Sequence, residues 1–257
     1  MLEDLENEIR KLNKVAICYS GGIDSSFLLF VANKVLPKNK VLAIIANGEM
    51  VSKKDYHDAI DFLIENNFNY KEITYKPLEI PEFKKNRKDR CYYCKKKLMT
   101  EIKEEAMKNG FENLLDGKNA NDLKVYRPGN RATEELGIIS PLANLNFYKE
   151  DIRKYSKDLG IKFWNKPSNS CLATRFPYNT TLTEEKLKQV ESSEEVIKKL
   201  GITQVRVRKH EEIARIEVNK EDFNKILENR EYIESNLKKL GFKYITLDLN
   251  GLKTAGF

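Results

Sequence analysis

A glycine-rich loop is the part of this 257-residue chain whose residue types most clearly suggest chemistry. Residues 19–26 read YSGGIDSS, after apolar residues at 15–18 and before a helical pattern at 27–32. A turn of this kind presents backbone N–H groups at a helix N-terminus, where phosphate groups bind well. The Lys-Ser/Thr of a Walker loop and the third glycine of a dinucleotide-binding fingerprint are both missing, so the sequence predicts a different kind of pyrophosphate site.

The loop contains residues suited to a metal ion and residues suited to phosphate. Asp24 cannot hold phosphate directly, so we expect it to act through a Mg²⁺ ion. Backbone and hydroxyl donors would hold the β and γ phosphates of a nucleotide, from Ser20, Gly21, Gly22, Ser25 and Ser26. The alternative is a tight turn that merely favours small polar residues, but such a turn needs only one glycine.

Three of the four cysteines form a second candidate site. Cys91 and Cys94 make a C-x-x-C motif at the start of a predicted helix, where the helix N-terminus and the basic Lys95 would lower a thiol pKa. This motif alone leaves zinc, iron–sulfur and redox roles open. Cys171 lies in a polar loop, which is unusual for a packing residue, whereas Cys18 lies in an apolar strand and is expected to pack.

The number of available ligands narrows the choice of metal. Neither histidine, His57 or His210, has a ligand-like spacing, and a closed zinc site would need a fourth donor. Three thiolates suit a cubane iron–sulfur cluster that leaves one iron open to an extra sulfur ligand. Three unrelated cysteines remain the alternative.

A pair of arginines forms a third candidate site. Arg206 and Arg208 alternate with Val205 and Val207, so both guanidinium groups lie on one face of a predicted strand. Paired arginines suit bidentate binding of a phosphate or a carboxylate. The alternative is an outward face on which they pair with Glu217 and other acids.

Two predicted domains position these residues. Strands at 15–18, 41–46, 70–75, 113–115 and 137–139 alternate with helices near 2–12, 56–64 and 98–107, which predicts an α/β, Rossmann-like parallel sheet over residues 1–176. Because ligands lie at the carboxyl ends of such strands, Asn47 and residues 117–119 should face the crevice of the glycine-rich loop. Residues 177–257 are expected to form a small α+β substrate or oligomerisation domain, with a helix at 184–200 and strands at 204–208, 214–218 and 244–247.

Composition limits the possible partners. The chain is 40% apolar and carries a formal net charge of +7, but its 39 acidic residues are interleaved with 46 basic ones. A mixed, solvated surface explains this pattern, so nucleic acid is not the expected partner. No eighteen-residue apolar run and no signal-like start are found, so we expect a cytoplasmic protein without a membrane partner.

Several separated motifs carry a family resemblance. Residues 20–26 resemble the loop of the PP-loop ATP pyrophosphatases, which cleave ATP to AMP and pyrophosphate while adenylating a substrate. Further motifs in the same order extend the resemblance to the LarE family of ATP-dependent sulfur transferases over nearly the whole chain. These are RCYYCK at 90–95, the segments 117–122 and 126–129, CLATR at 171–175 and the segment 244–249.

The resemblance implies a reaction that serves synthesis of the nickel-pincer nucleotide cofactor. With ATP and Mg²⁺, the enzyme would adenylate a carboxylate of pyridinium-3,5-biscarboxylic acid mononucleotide and convert it to a thiocarboxylate. Family members either sacrifice the sulfur of one cysteine, matching Cys171, or use two further cysteines to hold a [4Fe-4S] cluster. Because Cys91 and Cys94 are also present, we expect the cluster-dependent kind, with sulfide carried on the open iron.

Family matches also suggest roles for single residues. Lys95 would be a catalytic cation beside the reacting groups, with a solvated lysine as the alternative. Asp122 matches an acidic position near the active site but could instead cap a helix. Thr174 and the catalytic candidate Arg175 would join Cys171, and the phosphate of the substrate would bind the arginine pair. The resemblance further implies a sulfide or other sulfur donor and a homo-oligomer.

Other functions stay open at this point. A tRNA thiolation enzyme would also combine a PP-loop with a three-cysteine cluster, but no separate RNA-binding module is recognisable. A non-catalytic nucleotide- or metal-binding module would not need the intact Asp24. An amide-forming PP-loop ligase would not need three cysteines.

Overall fold

The structure, a computed structural model, describes residues 1–124, 128–165 and 170–252. Within these ranges no helix is both long and apolar enough to cross a membrane. The chain divides into two compact units: unit 1 consists of residues 1–76 and 91–168, and unit 2 of residues 77–90 and 169–257.

Helices and strands alternate through the first part of the chain, as the sequence predicts. Up to residue 76, the elements of unit 1 are α1 (Leu2–Leu12), β1 (Val15–Tyr19), α2 (Ile23–Val35), β2 (Val41–Asn47), α3 (Lys53–Glu65) and β3 (Tyr70–Thr74). The segment 77–90 of unit 2 follows and contains α4 (Pro81–Lys84). Its last residue begins α5 (Arg90–Lys108), which continues in unit 1. The rest of unit 1 contains β4 (Asn113–Leu115), α6 (Ala120–Leu123), α7 (Pro128–Glu135), α8 (Pro141–Asn144) and α9 (Lys149–Asp158).

The sheet of unit 1 is parallel and has the strand order β3-β2-β1-β4. All five residues of β1 are buried, because both faces of the sheet are covered. Val15, Ile17 and Tyr19 pack with α1, α2 and α3 on one face, and Ala16 and Cys18 pack with α5 on the other. The predicted α/β class is therefore confirmed.

The predicted strand at 137–139 is reduced to a single bridge. Ile139 pairs in parallel with Leu115, and no strand is assigned around it among the described residues. Pro141 follows two residues later and begins α8, because proline fits the first turn of a helix and cannot donate to a sheet.

Unit 2 contains a second, smaller sheet. Its further elements are α10 (Glu184–Lys198), β5 (Val205–His210), β6 (Ile213–Val218), α11 (Phe223–Glu228), α12 (Arg230–Lys239) and β7 (Tyr244–Leu247). The strand order is β5-β6-β7, with β5 antiparallel and β7 parallel to β6. Apolar residues from the strands, α10, α11 and α12 form its core.

The units differ from the expected domains in two respects. Residues 77–90 belong to unit 2, and the chain passes from unit 1 to unit 2 between residues 168 and 169 rather than 176 and 177. Asn86 explains this, since its side chain donates to the carbonyl of Pro177 at 2.7 Å and its carbonyl accepts from Asn179 N at 3.1 Å. Leu182 N likewise donates to the Lys84 carbonyl. The division at 176/177 stays a prediction for the functional domains.

Candidate active site

The glycine-rich loop joins β1 to α2. Gly21 has φ +70°, and a Cβ atom there would lie 2.5 Å from the Cβ of Ala59, so no larger residue fits without a shift. Gly22 is the N-cap of α2 and has extended backbone. The first N–H groups of a helix have no partners within it, so this end of α2 is suited to an anion.

The serines of the loop also stabilise its shape. Ser25 Oγ accepts from the backbone N–H of Ser20 at 3.2 Å and donates to the carbonyl of Gly22 at 3.0 Å. Ser26 is fully buried, and its hydroxyl donates to the same carbonyl at 2.9 Å. Ser20 is exposed. The structure therefore places Ser20 where it can reach a ligand, whereas Ser25 and Ser26 fix the loop.

Asp24 lies on the first turn of α2 and pairs with Lys149. Lys149 Nζ donates to Asp24 Oδ2 at 2.6 Å, and both side chains are mostly buried. Burial raises the pKa of Asp24, while the Lys149 charge opposes that shift. Among the described residues, none makes a hydrogen bond to the buried Asp24 Oδ1. A buried carboxylate oxygen without a hydrogen-bond donor suits a divalent cation, so Asp24 fits the expected Mg²⁺ role.

The loop after β4 approaches the same place. A Cβ atom on Gly117 would lie 2.8 Å from Ser25 N, so glycine allows this loop to contact the start of α2. Asn119 caps α6, and its backbone N–H donates to Asp122 Oδ2 at 3.2 Å in a capping box. Asp122 thus has the capping role weighed from the sequence. Its negative charge also adds to the raised pKa of Asp24, which places the two carboxylates near each other.

Asn47 ends β2, the neighbour of β1, and is exposed. Its carbonyl accepts a hydrogen bond from Tyr75 N, just after β3. The carboxyl ends of three neighbouring strands therefore meet at the edge of the sheet that carries the glycine-rich loop, as the sequence predicts.

Cys91, Cys94 and Lys95 lie near the start of α5. Cys91 is exposed, whereas the other two are partly buried. The hydroxyl of the buried Tyr75 donates to the Cys94 carbonyl at 2.6 Å and lies 3.3 Å from its Sγ. Tyr75 thus anchors the turn that carries both cysteines to the end of β3.

Cys18 packs in the core, as expected. Its Sγ lies 3.5 Å from the sulfur of Met99. Burial, and then the nearby Asp116 charge, raise the pKa of Cys18, and the Lys95 charge opposes that shift. The Lys95 charge therefore lies near enough to act on Cys18.

Cys171 lies in unit 2, directly before a short 3-10 helix, Leu172–Arg175. Arg175 is buried, and its guanidinium pairs with both carboxylate oxygens of Glu194, at 2.7 and 3.1 Å. Arg175 also donates to Ser170 Oγ and Thr174 Oγ1. The structure thus gives Arg175 a positioning role for the loop of Cys171, and a catalytic role for it stays a prediction.

The arginine pair on β5 has two different environments. Arg208 is buried, donates to Glu217 Oε1 at 2.6 Å and donates to the carbonyl of Thr174 at 2.6 Å. Arg206 is partly buried, and its pKa is lowered by burial and by the charges of Arg175 and Arg208. Arg208 therefore has the Glu217 partner of the alternative, but the pair is buried and does not lie on an outward face, and Arg206 is the better candidate for an anionic ligand.

Sequence reasoning missed Lys149 and Glu194. Lys149 begins α9, and the signal for that start is Asp151, whose carboxylate accepts from Tyr148 N. Glu194 falls on the buried stripe of α10 with Leu187, Val190 and Ile197. An acid within an apolar stripe indicates a buried partner, which here is Arg175.

Part of one family motif, Tyr126 and Arg127, lies outside the described residues. Residues 166–169, in the polar loop before Cys171, also lie outside them. Within the described part of the chain, no group of three or more His, Cys, Asp or Glu side chains is assembled to hold a metal ion.

Comparison with known proteins identifies the class and then the family. The family model described as NAD synthase matches residues 2–108, the region that contains the glycine-rich loop. Fold, loop and match together define an ATP-dependent enzyme of the PP-loop class. Over 246 residues the chain is 36% identical to the pyridinium-3,5-bisthiocarboxylic acid mononucleotide synthase of Lactiplantibacillus plantarum, covering 96% of this chain and 89% of that one. The chain therefore belongs to the LarE family of ATP-dependent sulfur transferases.

Two other relatives extend the comparison. An uncharacterized protein of Methanocaldococcus jannaschii is 34% identical over 95% of this chain and 94% of its own length. The glutamine-hydrolysing GMP synthase of Thermoplasma volcanium has a subunit that is 27% identical over 62% of this chain and 54% of its own length. The similarity to GMP synthase is thus partial, whereas the LarE similarity spans nearly the whole chain.

Proposed function

We propose that this protein adenylates a carboxylate of pyridinium-3,5-biscarboxylic acid mononucleotide and converts it to a thiocarboxylate, with sulfur delivered through a [4Fe-4S] cluster. The observation that carries the substrate assignment is the near full-length similarity to a synthase whose name states the corresponding product. The expected sulfur donor and homo-oligomeric assembly are part of the same proposal.

The adenylation step is supported by the residues at the start of α2. A carboxylate oxygen of the substrate would attack the α-phosphorus of ATP, forming an acyl adenylate while pyrophosphate leaves. The glycine-rich loop and the end of α2 provide donors for the departing phosphates. Asp24 would hold Mg²⁺ through its buried Oδ1, and Lys149, which pairs with Asp24, would supply positive charge there. Lys95 is proposed as a second cation beside the reacting groups.

The sulfur step depends on the cysteine set. A sulfur nucleophile would then attack the carbonyl carbon of the adenylate, so that the C–S bond forms and AMP leaves with the C–O bond electrons. Cys91, Cys94 and Cys171 would hold the cluster, which would supply sulfide when it is bound. Their thiol-only chemistry fits this cofactor, since thiolates are the usual ligands of iron–sulfur clusters. The partly exposed Cys171 would also fit the alternative in which its own sulfur is donated.

Arg206 is proposed to bind the phosphate of the substrate. Its charge lies near those of Arg175 and Arg208, and burial together with these neighbours lowers its pKa. Two carboxylates near Arg206, those of Glu217 and Glu194, oppose that shift. They pair with Arg208 and Arg175, respectively. These three arginines still outnumber the two acids, so a further anion would be favoured here. The phosphate of the mononucleotide takes no part in the reaction, so it is free to hold the substrate in place.

Iron and acid-labile sulfide per chain, measured after reconstitution without oxygen, test the cluster assignment. About four of each are expected, and the content should fall when Cys91, Cys94 or Cys171 is changed to alanine. Cys18→Ala is the matched control, because Cys18 packs in the core and should leave the content unchanged. No bound iron in the unaltered protein would contradict the cluster and favour Cys171 as the sulfur donor.

Pyrophosphate release tests the substrate assignment separately. Release from ATP should require the pyridinium mononucleotide and should be lost in Asp24→Ala. Release that needs tRNA instead would identify a tRNA-modifying enzyme. Release that needs ammonia and a purine nucleotide would indicate an amide-forming ligase.

A further inference from the structure

A cavity of about 500 Å³ in unit 2 has no role in the proposed reaction. Its apolar lining residues are Phe176, Pro177 and Ile213. The rest of the lining includes Lys186 from the first turn of α10 and Lys209 near the end of β5. A volume of this size is typical of small-molecule sites, which combine apolar walls with a few polar groups.

The two lysines are held by main-chain acceptors. Lys186 Nζ donates to the carbonyl of Thr181 at 2.7 Å, and Lys209 Nζ donates to the carbonyl of Glu211 at 2.6 Å. Lys209 Nζ also lies 4.8 Å from the centroid of the Phe242 ring. The acceptors in both hydrogen bonds are neutral carbonyl oxygens rather than carboxylates. Both charges are thus fixed in place without being neutralised by the contacts that hold them.

The electrostatics of the cavity favour an anion. Burial, followed by the Lys186 charge, lowers the pKa of Lys209, so the two ammonium groups are close enough to repel each other. Glu212 opposes this shift, and Glu211, at the turn between β5 and β6, also lines the cavity. His210 in the same lining has its pKa lowered by burial and by Arg215 and Arg208, so it favours the neutral form. The lining residues therefore have two positive charges against one negative charge.

We propose that this cavity binds a phosphate monoester with an apolar carbon group, the phosphate between Lys186 and Lys209 and the carbon group against Phe176, Pro177 and Ile213. Two ammonium groups match the double charge of a phosphate monoester better than the single charge of a carboxylate. Neither Arg206 nor a residue of the glycine-rich loop is among the lining residues, and the proposal does not depend on the sulfur-transfer reaction.

Phenyl phosphate is the probe that tests this site. It would be titrated into the full-length protein by calorimetry, with Mg²⁺ and a non-hydrolysable ATP analogue present to occupy the glycine-rich loop. We expect saturable binding that Lys186→Met/Lys209→Met weakens at least about tenfold, since hydrogen bonds between charged groups are stronger than those between neutral groups. Methionine keeps most of the apolar stem of each lysine and removes its charge, including the charge over the Phe242 ring.

Matched controls make each outcome decisive. Lys188→Met/Lys199→Met removes two lysines from the same helix region that do not line the cavity, and it should leave binding unchanged. No saturable binding, or equal weakening by this control pair, would overturn the proposal. Loss of binding in Arg206→Met but not in the Lys186/Lys209 variant would place the ligand at Arg206 instead. Tighter binding of benzoate than of phenyl phosphate would overturn the phosphate assignment.

Discussion

Lys149 Nζ lies 2.6 Å from Asp24 Oδ2, so the first residue of α9 neutralises the first acidic residue of α2. The backbone N–H of Lys149 also donates to Asn121 Oδ1 at 2.8 Å, in the short helix α6 that contains Asp122. Lys149 therefore connects the glycine-rich loop to α6. It also supplies a cation beside the place proposed for Mg²⁺ and the ATP phosphates.

Lys149→Met should raise the pKa of Asp24 further, because burial already raises it and the Lys149 charge opposes that shift. Mg²⁺ needs the ionised carboxylate, so Mg²⁺-ATP binding should weaken as the pH falls and Asp24 is protonated. This loss should occur at a higher pH in the variant than in the unaltered protein. Calorimetric titrations at several pH values down to about pH 4 would give the two midpoints.

Lys154→Met is the control for this titration, since Lys154 is an exposed lysine on the same helix. Its midpoint should match that of the unaltered protein. A midpoint in Lys149→Met that is unchanged, or that moves to lower pH, would show that Lys149 does not hold the Asp24 charge.

Gly21→Ala should destabilise the loop, whereas Gly22→Ala should not. Gly21 has φ +70° and its added Cβ would lie 2.5 Å from Ala59 Cβ, but Gly22 has φ −78° and its nearest contact would be Ser20 Oγ at 3.4 Å. The left-handed backbone alone costs an alanine about 1–2 kcal/mol. Urea denaturation would measure the free energy of unfolding, and equal losses in both variants would contradict this account of the loop.

Sequence patterns predicted the local parts of the site better than the long-range ones. The strand, loop and helix around Asp24 follow from hydrophobic periodicity and glycine, which act between neighbours in the chain. The partner Lys149 is 125 residues away and belongs to a lysine-rich segment with no distinguishing pattern. Arg208 shows the same limit, because its alternation with valine predicts a face but not whether Glu217 or a ligand neutralises it.

Glu194→Ala should destabilise the protein by about 3–5 kcal/mol, because it leaves the buried Arg175 charge without its partner. Glu194 Oε1 also accepts from Val207 N at 3.1 Å, so the change disconnects α10 from β5. Thermal unfolding would measure the loss. Glu195→Ala is the control, because Glu195 is more exposed and pairs with the neighbouring Lys198 on the same helix, so an equal loss there would contradict the prediction.

Glu135 should titrate with a pKa of about 2, since Lys96, Arg131 and the Tyr92 hydroxyl all donate to its carboxylate. Its pairing therefore favours the folded state above the ordinary glutamate pKa of 4.5 and is lost as the pH falls towards 2. Carboxyl carbon NMR would follow the titration. Lys96→Met should raise this pKa, and a value near 4.5 in the unaltered protein would show that the cluster does not form in solution.

Arg206→Met should weaken substrate binding and Arg208→Met should lower stability, although the two residues share one strand face. Arg208→Met leaves the buried Glu217 with the Arg215 guanidinium at 3.0 Å but without its buried partner, so we expect a lower unfolding temperature. Arg206→Met removes a partly buried charge that has two arginines and two acids near it, so we expect a smaller loss of stability than in Arg208→Met, while the KM for the pyridinium mononucleotide rises by about tenfold or more. Pyrophosphate release would give KM and kcat, and calorimetry the unfolding temperature. A folded Arg206→Met with unchanged KM would remove Arg206 from the substrate site.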